Sequence, residues 1–104
     1  MGKNAIIKII ADKIGGLTAH KILVKYTNKP ESIPHMMSEI ENYRGIILDY
    51  LTEFNWNTND KKVIKEKALQ CLKNELKRPH FNDVRFPIEE ADKLIGETLD
   101  EIFE

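Results

Sequence analysis

A single cysteine, Cys71, stands in this chain of 104 residues, so no internal disulfide can form and a metal site built on several thiolates is excluded. Such sparse thiol usage fits a reducing compartment, and the expected location is cytoplasmic. No apolar run approaches the roughly 18–20 residues that a membrane-spanning helix needs, so no membrane association is expected. The opening segment lacks the apolar core of a secretory leader, because Lys8, Asp12 and Lys13 interrupt it. Gly2 follows Met1 as in a myristoylation signal, but Ile6 stands where that signal needs Ser or Thr. Internal repeats and low-complexity tracts are absent. So are a glycine-rich phosphate loop, a serine elbow and a multi-ligand metal motif. The chain is therefore expected to be no enzyme, with no catalytic residues, no metal and no cofactor.

What is present is ordinary for a globular domain: 41% hydrophobic and 32% charged residues, too apolar for disorder. The length suits one domain, since halves would fall near the limit of independent stability. The formal net charge of −1 argues against strong nonspecific polyanion binding, yet the charge is not evenly spread. Residues 1–30 carry +5, residues 31–59 carry −4, residues 60–80 carry +4 and residues 81–104 carry −6. Oppositely charged helices lying side by side would account for this pattern; external partners for each block are the alternative.

Residues 33–54 carry the clearest periodicity. Ile33, Met36, Met37, Ile40, Tyr43, Ile47, Tyr50, Leu51 and Phe54 recur at steps of three and four, which places them on one face of a helix. Ser38, Glu41, Asn42, Asp49, Thr52 and Glu53 make the other face polar. Such a stripe must be covered by the rest of the chain. The expected fold is all-α: a compact single-domain bundle of about five helices over residues 1–104, with a long central helix near 33–55. Ser32 is its expected cap, and Pro34 suits the first turn. Longer helices are also predicted at about 60–78, stopped by Pro79, and 87–103, opened by Pro87 with Glu89 and Glu90 favouring the helix dipole.

The N-terminal third is read as two short helices, about 4–14 and 18–28, separated by Gly15-Gly16, with Thr18 capping the second. A β-hairpin turning on the two glycines is the rival over residues 5–27, because the region is rich in β-branched residues. Strict alternation is missing on both arms, so the helical reading leads.

Three local patterns invite a chemical reading. Asn55, Asn57, Asn59 and Glu66 match the spacing of a calcium loop between two helices, and resemble an EF-hand in spacing only. Asp60 takes the position of the turn glycine, and Lys61 and Lys62 add positive charge; a polar turn in which Asn59 or Asp60 caps the next helix is the simpler expectation. Ile10-Ala11, Gly15, Leu17 and Ile22 loosely resemble a helix-turn-helix unit, in which His20, Lys21, Lys25 and Lys29 would face nucleic acid. Arg, Asn and Gln are missing from residues 18–25, where base-reading side chains would be needed. Lastly, Cys71 falls on an apolar stripe without a nearby His to activate it, as a structural thiol would.

The aromatic pairs Phe54/Trp56 and Phe81/Phe86 lie in successive connectors and would plug opposite ends of a bundle; an exposed Trp56 would instead anchor a partner. The expected function is that of a small binding or regulatory protein acting through a helical protein–protein interaction surface. Met36, Met37, Phe54 and Trp56 would supply apolar contact, and Glu89, Glu90, Glu97, Asp100 and Glu101 would steer the partner. That partner is a protein, with a homodimer among the candidates. A DNA-binding regulator using the pair at residues 5–29 is the alternative.

Overall fold

Twenty-four consecutive residues, Lys3–Tyr26, form one uninterrupted helix, α1. The computed structural model describes residues 2–27, 29–81 and 88–103. Among these the chain makes three further α-helices, α2 (Ile33–Leu51), α3 (Thr58–Glu75) and α4 (Ile88–Phe103), and no strand. The architecture is an all-α single domain, with four helices where about five were expected.

Gly15-Gly16 does not separate a pair of helices. It lies inside α1, which replaces both the expected helices at 4–14 and 18–28 and the rival hairpin. The physical reason is tight packing. Ile14, Gly15, Gly16, Leu17, Thr18 and Ala19 are consecutive and all buried, which is more than one full turn of helix. A Cβ on Gly15 would sit 2.8 Å from the Cβ of Cys71 and 3.1 Å from the backbone N of Leu72, both on α3. A Cβ on Gly16 would sit 3.1 Å from the Tyr43 ring on α2. Thr18 meets Thr98 of α4, with its Oγ1 donating to the Ile14 carbonyl at 2.8 Å. Thr18 is thus a mid-helix residue and not a cap. Within four positions α1 touches all three other helices. Two interior glycines cost the helix roughly 1 kcal/mol each against alanine, a cost that the close approach of α2 and α3 must offset.

That arrangement moves the centre of the molecule. Twelve residues of α1 are buried, against two in α2, Ile40 and Ile47. The predicted long helix near 33–55 exists, but it ends at Leu51 and flanks α1. A short 3-10 turn, Pro30–Ser32, leads into it. Ser32 already has helical torsions there (φ −85°, ψ −14°) and makes no side-chain cap, contrary to expectation.

Helix α3 begins two residues before the predicted 60 because Asn57 caps it. The Asn57 side chain accepts from the Asp60 N–H at 2.8 Å, and the Asp60 carboxylate accepts from the Asn57 N–H at 3.1 Å. The expected caps Asn59 and Asp60 are therefore inside the helix. It ends at Glu75, short of the predicted 78, and a 3-10 turn at Pro79–Phe81 follows. Helix α4 turns Ala91, Ile95, Thr98, Leu99 and Ile102 inward, close to its predicted stripe. Phe86 and Pro87 lie outside the described residues, while Phe81 is buried.

Lys3 pairs with Asp60, so α1 and α3 start at the same end; Lys25 pairs with Glu90, so α1 ends where α4 begins. The order is up-down-up-down, with α2 and α3 both laid against α1 and α4 packed on α1 and α3. At about 1.5 Å per residue, 24 residues span roughly 36 Å, close to the molecule's 40 Å long axis. The central helix sets the length of the whole domain.

Candidate interaction surface

Phe54 and Trp56 lie in the connector that carries the chain from α2 to α3, and both are partly buried against the core. The indole N–H of Trp56 donates to the Leu51 carbonyl at 2.8 Å, and Phe54 meets the indole edge-on with ring centroids 6.0 Å apart. Lys3 Nζ stands 5.3 Å from the indole centroid, donates to the Asn55 carbonyl at 2.8 Å and pairs with Asp60 at 2.5 Å. The side chains expected to form an apolar anchor thus close the bottom of the domain. The calcium-like spacing is spent in the same place: Asn57 and Asp60 bond each other, and Asp60 also bonds Lys3. Among the described residues no group of three His, Cys, Asp or Glu is gathered as metal ligands would be.

The acidic residues of α4 are divided between internal pairs and solvent. Glu90 accepts from Lys25 and from the Tyr26 hydroxyl. Glu101 accepts from Lys21 at 3.1 Å and from Arg44 at 3.2 Å, while Lys21 also donates to Thr98 at 3.1 Å. Glu97 lies 4.0 Å from Lys93, and Glu89 and Asp100 are exposed. The basic first block and the acidic last block therefore face each other, which is the side-by-side arrangement of helices. The lysines expected to face nucleic acid, Lys21 and Lys25, are turned to α4; His20 donates from Nδ1 to the Gly16 carbonyl at 2.8 Å; Lys29 is exposed. With α1 continuous, the turn that a helix-turn-helix unit requires is missing.

These pairs shift the titration of their members. The Lys3 ammonium, with help from the Asn57 N–H, holds Asp60 below its ordinary value. Lys25, then Tyr26, do the same for Glu90, and Glu90 in return raises both partners. A depressed carboxylate stabilises the fold above its ordinary pKa, and that contribution is lost as the pH falls through the folded value. The Asp60→Asn/Glu90→Gln variant is expected to be less stable than the parent at about pH 7, with the gap narrowing progressively as the pH falls below about 4. Urea unfolding at stepped pH values measures it; a gap independent of pH would contradict the pairing. Burial raises the Cys71 thiol and the Tyr43 hydroxyl, which disfavours the thiolate form of Cys71.

One flank of α2 is different. Met36 packs on the core, but its neighbour Met37 is 47% exposed and Leu48 is 46% exposed, and these two are the exposed large hydrophobic residues among those described. Met37 and Leu48 are eleven residues apart, three turns of helix, so they share a line. Glu41 and Arg44 fall between them on that line, and Arg44 pairs with Glu41 at 2.7 Å and with Glu101 of α4. The strip reads Met37, Glu41, Arg44, Leu48, at steps of four, three and four. Leu48 is the residue that sequence reasoning missed. It sits just off the predicted stripe of α2, and an apolar residue off its helix's stripe is the signal that could have found it. Met36/Met37 lie in the first turns of α2 and Phe54/Trp56 follow its C-terminus at Leu51, roughly 20 Å away along the axis, and do not form one patch.

Two clefts open between α3 and α4. One of about 560 Å³ is edged by Lys61, Lys62 and Lys65 opposite Leu99, Asp100 and Phe103. Another of about 800 Å³ is lined by Leu69, Leu76 and Ala91 with Lys73, Lys77, Glu89 and Asp92 around it. No helix among the described residues is long and apolar enough to cross a membrane. No family model, no curated protein and no solved structure matches this chain.

Proposed function

We propose that this chain is a small non-enzymatic protein-binding module whose docking face is the flank of α2 that carries Met37 and Leu48, and whose partner is an amphipathic protein helix. The observation that carries the reading is the pair Met37 and Leu48, half exposed on a helix that is covered on one side only. Two apolar side chains three helical turns apart, with a Glu and an Arg in line between them, are what a second helix of matching pattern can lay itself against. Several polar groups that sequence reasoning singled out support the reading by being occupied: His20, Lys21, Trp56, Asp60 and Glu101 are bonded within the domain.

Affinity capture from the protein's own host tests this, with parent and Leu48→Glu compared and each sample split between nuclease-treated and untreated portions. Proteins retained by the parent are expected to be lost with Leu48→Glu and to be indifferent to nuclease. Retention that vanishes with nuclease and falls steeply with salt would favour nucleic acid instead.

A further inference from the structure

We propose that the helix which docks on α2 is α2 of a second copy, laid antiparallel across a two-fold axis. The proposal rests on the interaction face described above and names its occupant. In a symmetric antiparallel pair each residue i meets a residue j and j meets i, with a constant sum of the two numbers. Put Met37 opposite Leu48 of the second copy, and that sum also puts Glu41 opposite Arg44. One register thus satisfies all four positions: two apolar contacts at the ends and two opposite-charge contacts between them.

The alternative symmetric arrangement fails on charge. In a parallel pair each position meets itself, which sets Glu41 on Glu41 and Arg44 on Arg44, and like charges at a shared seam weaken association and reject that register. The strip therefore favours the antiparallel pair both by what it attracts and by what it repels. Arg44 can keep its bond to Glu101 while facing a second Glu41, since a guanidinium offers five donors. Four positions per helix bury less than the roughly 1,200 Å² of a standard stable complex, so the association is expected to be weak. The chain should be a monomer when dilute and a dimer toward about 1 mM.

Sedimentation equilibrium of the full chain up to about 1 mM reads the association. Leu48→Glu is expected to weaken it by roughly tenfold or more. Arg44→Glu alone should weaken it, and Glu41→Arg combined with Arg44→Glu should restore it. Register is read by oxidative cross-linking in a Cys71→Ala background. In the antiparallel pair two copies of residue 37 lie at least about 16 Å apart, beyond the roughly 4.4–6.8 Å Cα separation that a disulfide spans. Met37→Cys alone should then stay uncrosslinked, while Met37→Cys mixed with Leu48→Cys should give a covalent dimer.

Efficient cross-linking of Met37→Cys with itself would overturn the antiparallel pair, as would a dimer unmoved by Leu48→Glu. A chain still monomeric at the highest concentration would overturn self-pairing altogether. If Leu48→Glu nonetheless abolished capture of host proteins, the interaction face would stand with a different occupant; if it did not, both readings would fall.

Discussion

Gly15→Leu is expected to destabilise the protein strongly, whereas Gly45→Ala should make it more stable. The two glycines differ in what surrounds them. A Cβ at Gly15 meets Cys71 Cβ at 2.8 Å, Leu72 N at 3.1 Å and the Ala68 carbonyl at 3.2 Å, so two of the three nearest atoms are α3 backbone and cannot rotate away. A larger side chain must drive α1 and α3 apart along a main contact of the fold. Overpacking a core by a few methylenes costs typically about 1–3 kcal/mol, and here no flexible side chain is available to absorb it. Against a total stability of about 5–15 kcal/mol, Gly15→Leu should remove a large share and lower the unfolding midpoint sharply. Gly15→Ala should lose less, because the helix recovers roughly 1 kcal/mol of propensity. At Gly45 an added Cβ meets nothing within 4 Å, and the backbone is helical. Alanine there should add about 0.5–1 kcal/mol. Circular dichroism during thermal and urea unfolding reads all three; a folded, stable Gly15→Leu protein would show that the α1–α3 packing is not as close as described.

The second large effect is at Ile14. This side chain is fully buried in the middle of α1, where the other helices converge, and Ile14→Ala should cost about 2–5 kcal/mol. Leu48→Ala, on the Met37 flank of α2, should change stability by no more than about 0.5 kcal/mol. The contrast matters because both are aliphatic residues of similar size on long helices. Periodicity alone would have put the costlier truncation in α2. Urea midpoints for the two variants, taken with equal slopes, decide it; comparable losses would return the centre of the core to α2.

Helices α2 and α4 are legible in the sequence because each has one wet side, and a stripe is visible only against a polar background. The α1 segment lacks such a background. From Ile14 to Ala19 no charged residue occurs, and a helix surrounded on all sides shows no face. Read locally, two adjacent glycines look like a break; in the fold they are where α3 and α2 pack tightly on α1. The unbroken uncharged run on both sides of them is the signal that a buried helix passes through. The candidate site is legible by half. Met37 is readable as an apolar residue of α2, but Trp56 is drawn into the plug by its bond to the Leu51 carbonyl. The acids Glu90 and Glu101 are claimed by lysines and an arginine more than fifty positions away in sequence, a pairing that charge blocks suggest but cannot assign to particular residues.

Helix α2 packs mainly on α1, so it can leave without parting the other helices from one another. Detaching it uncovers one side of α1 and leaves the α1–α3–α4 contacts in place, so local opening there should require less free energy than opening α3. Anything that grips the exposed side of α2 would then act as a splint, converting a helix that can open on its own into a reporter of whether it is occupied.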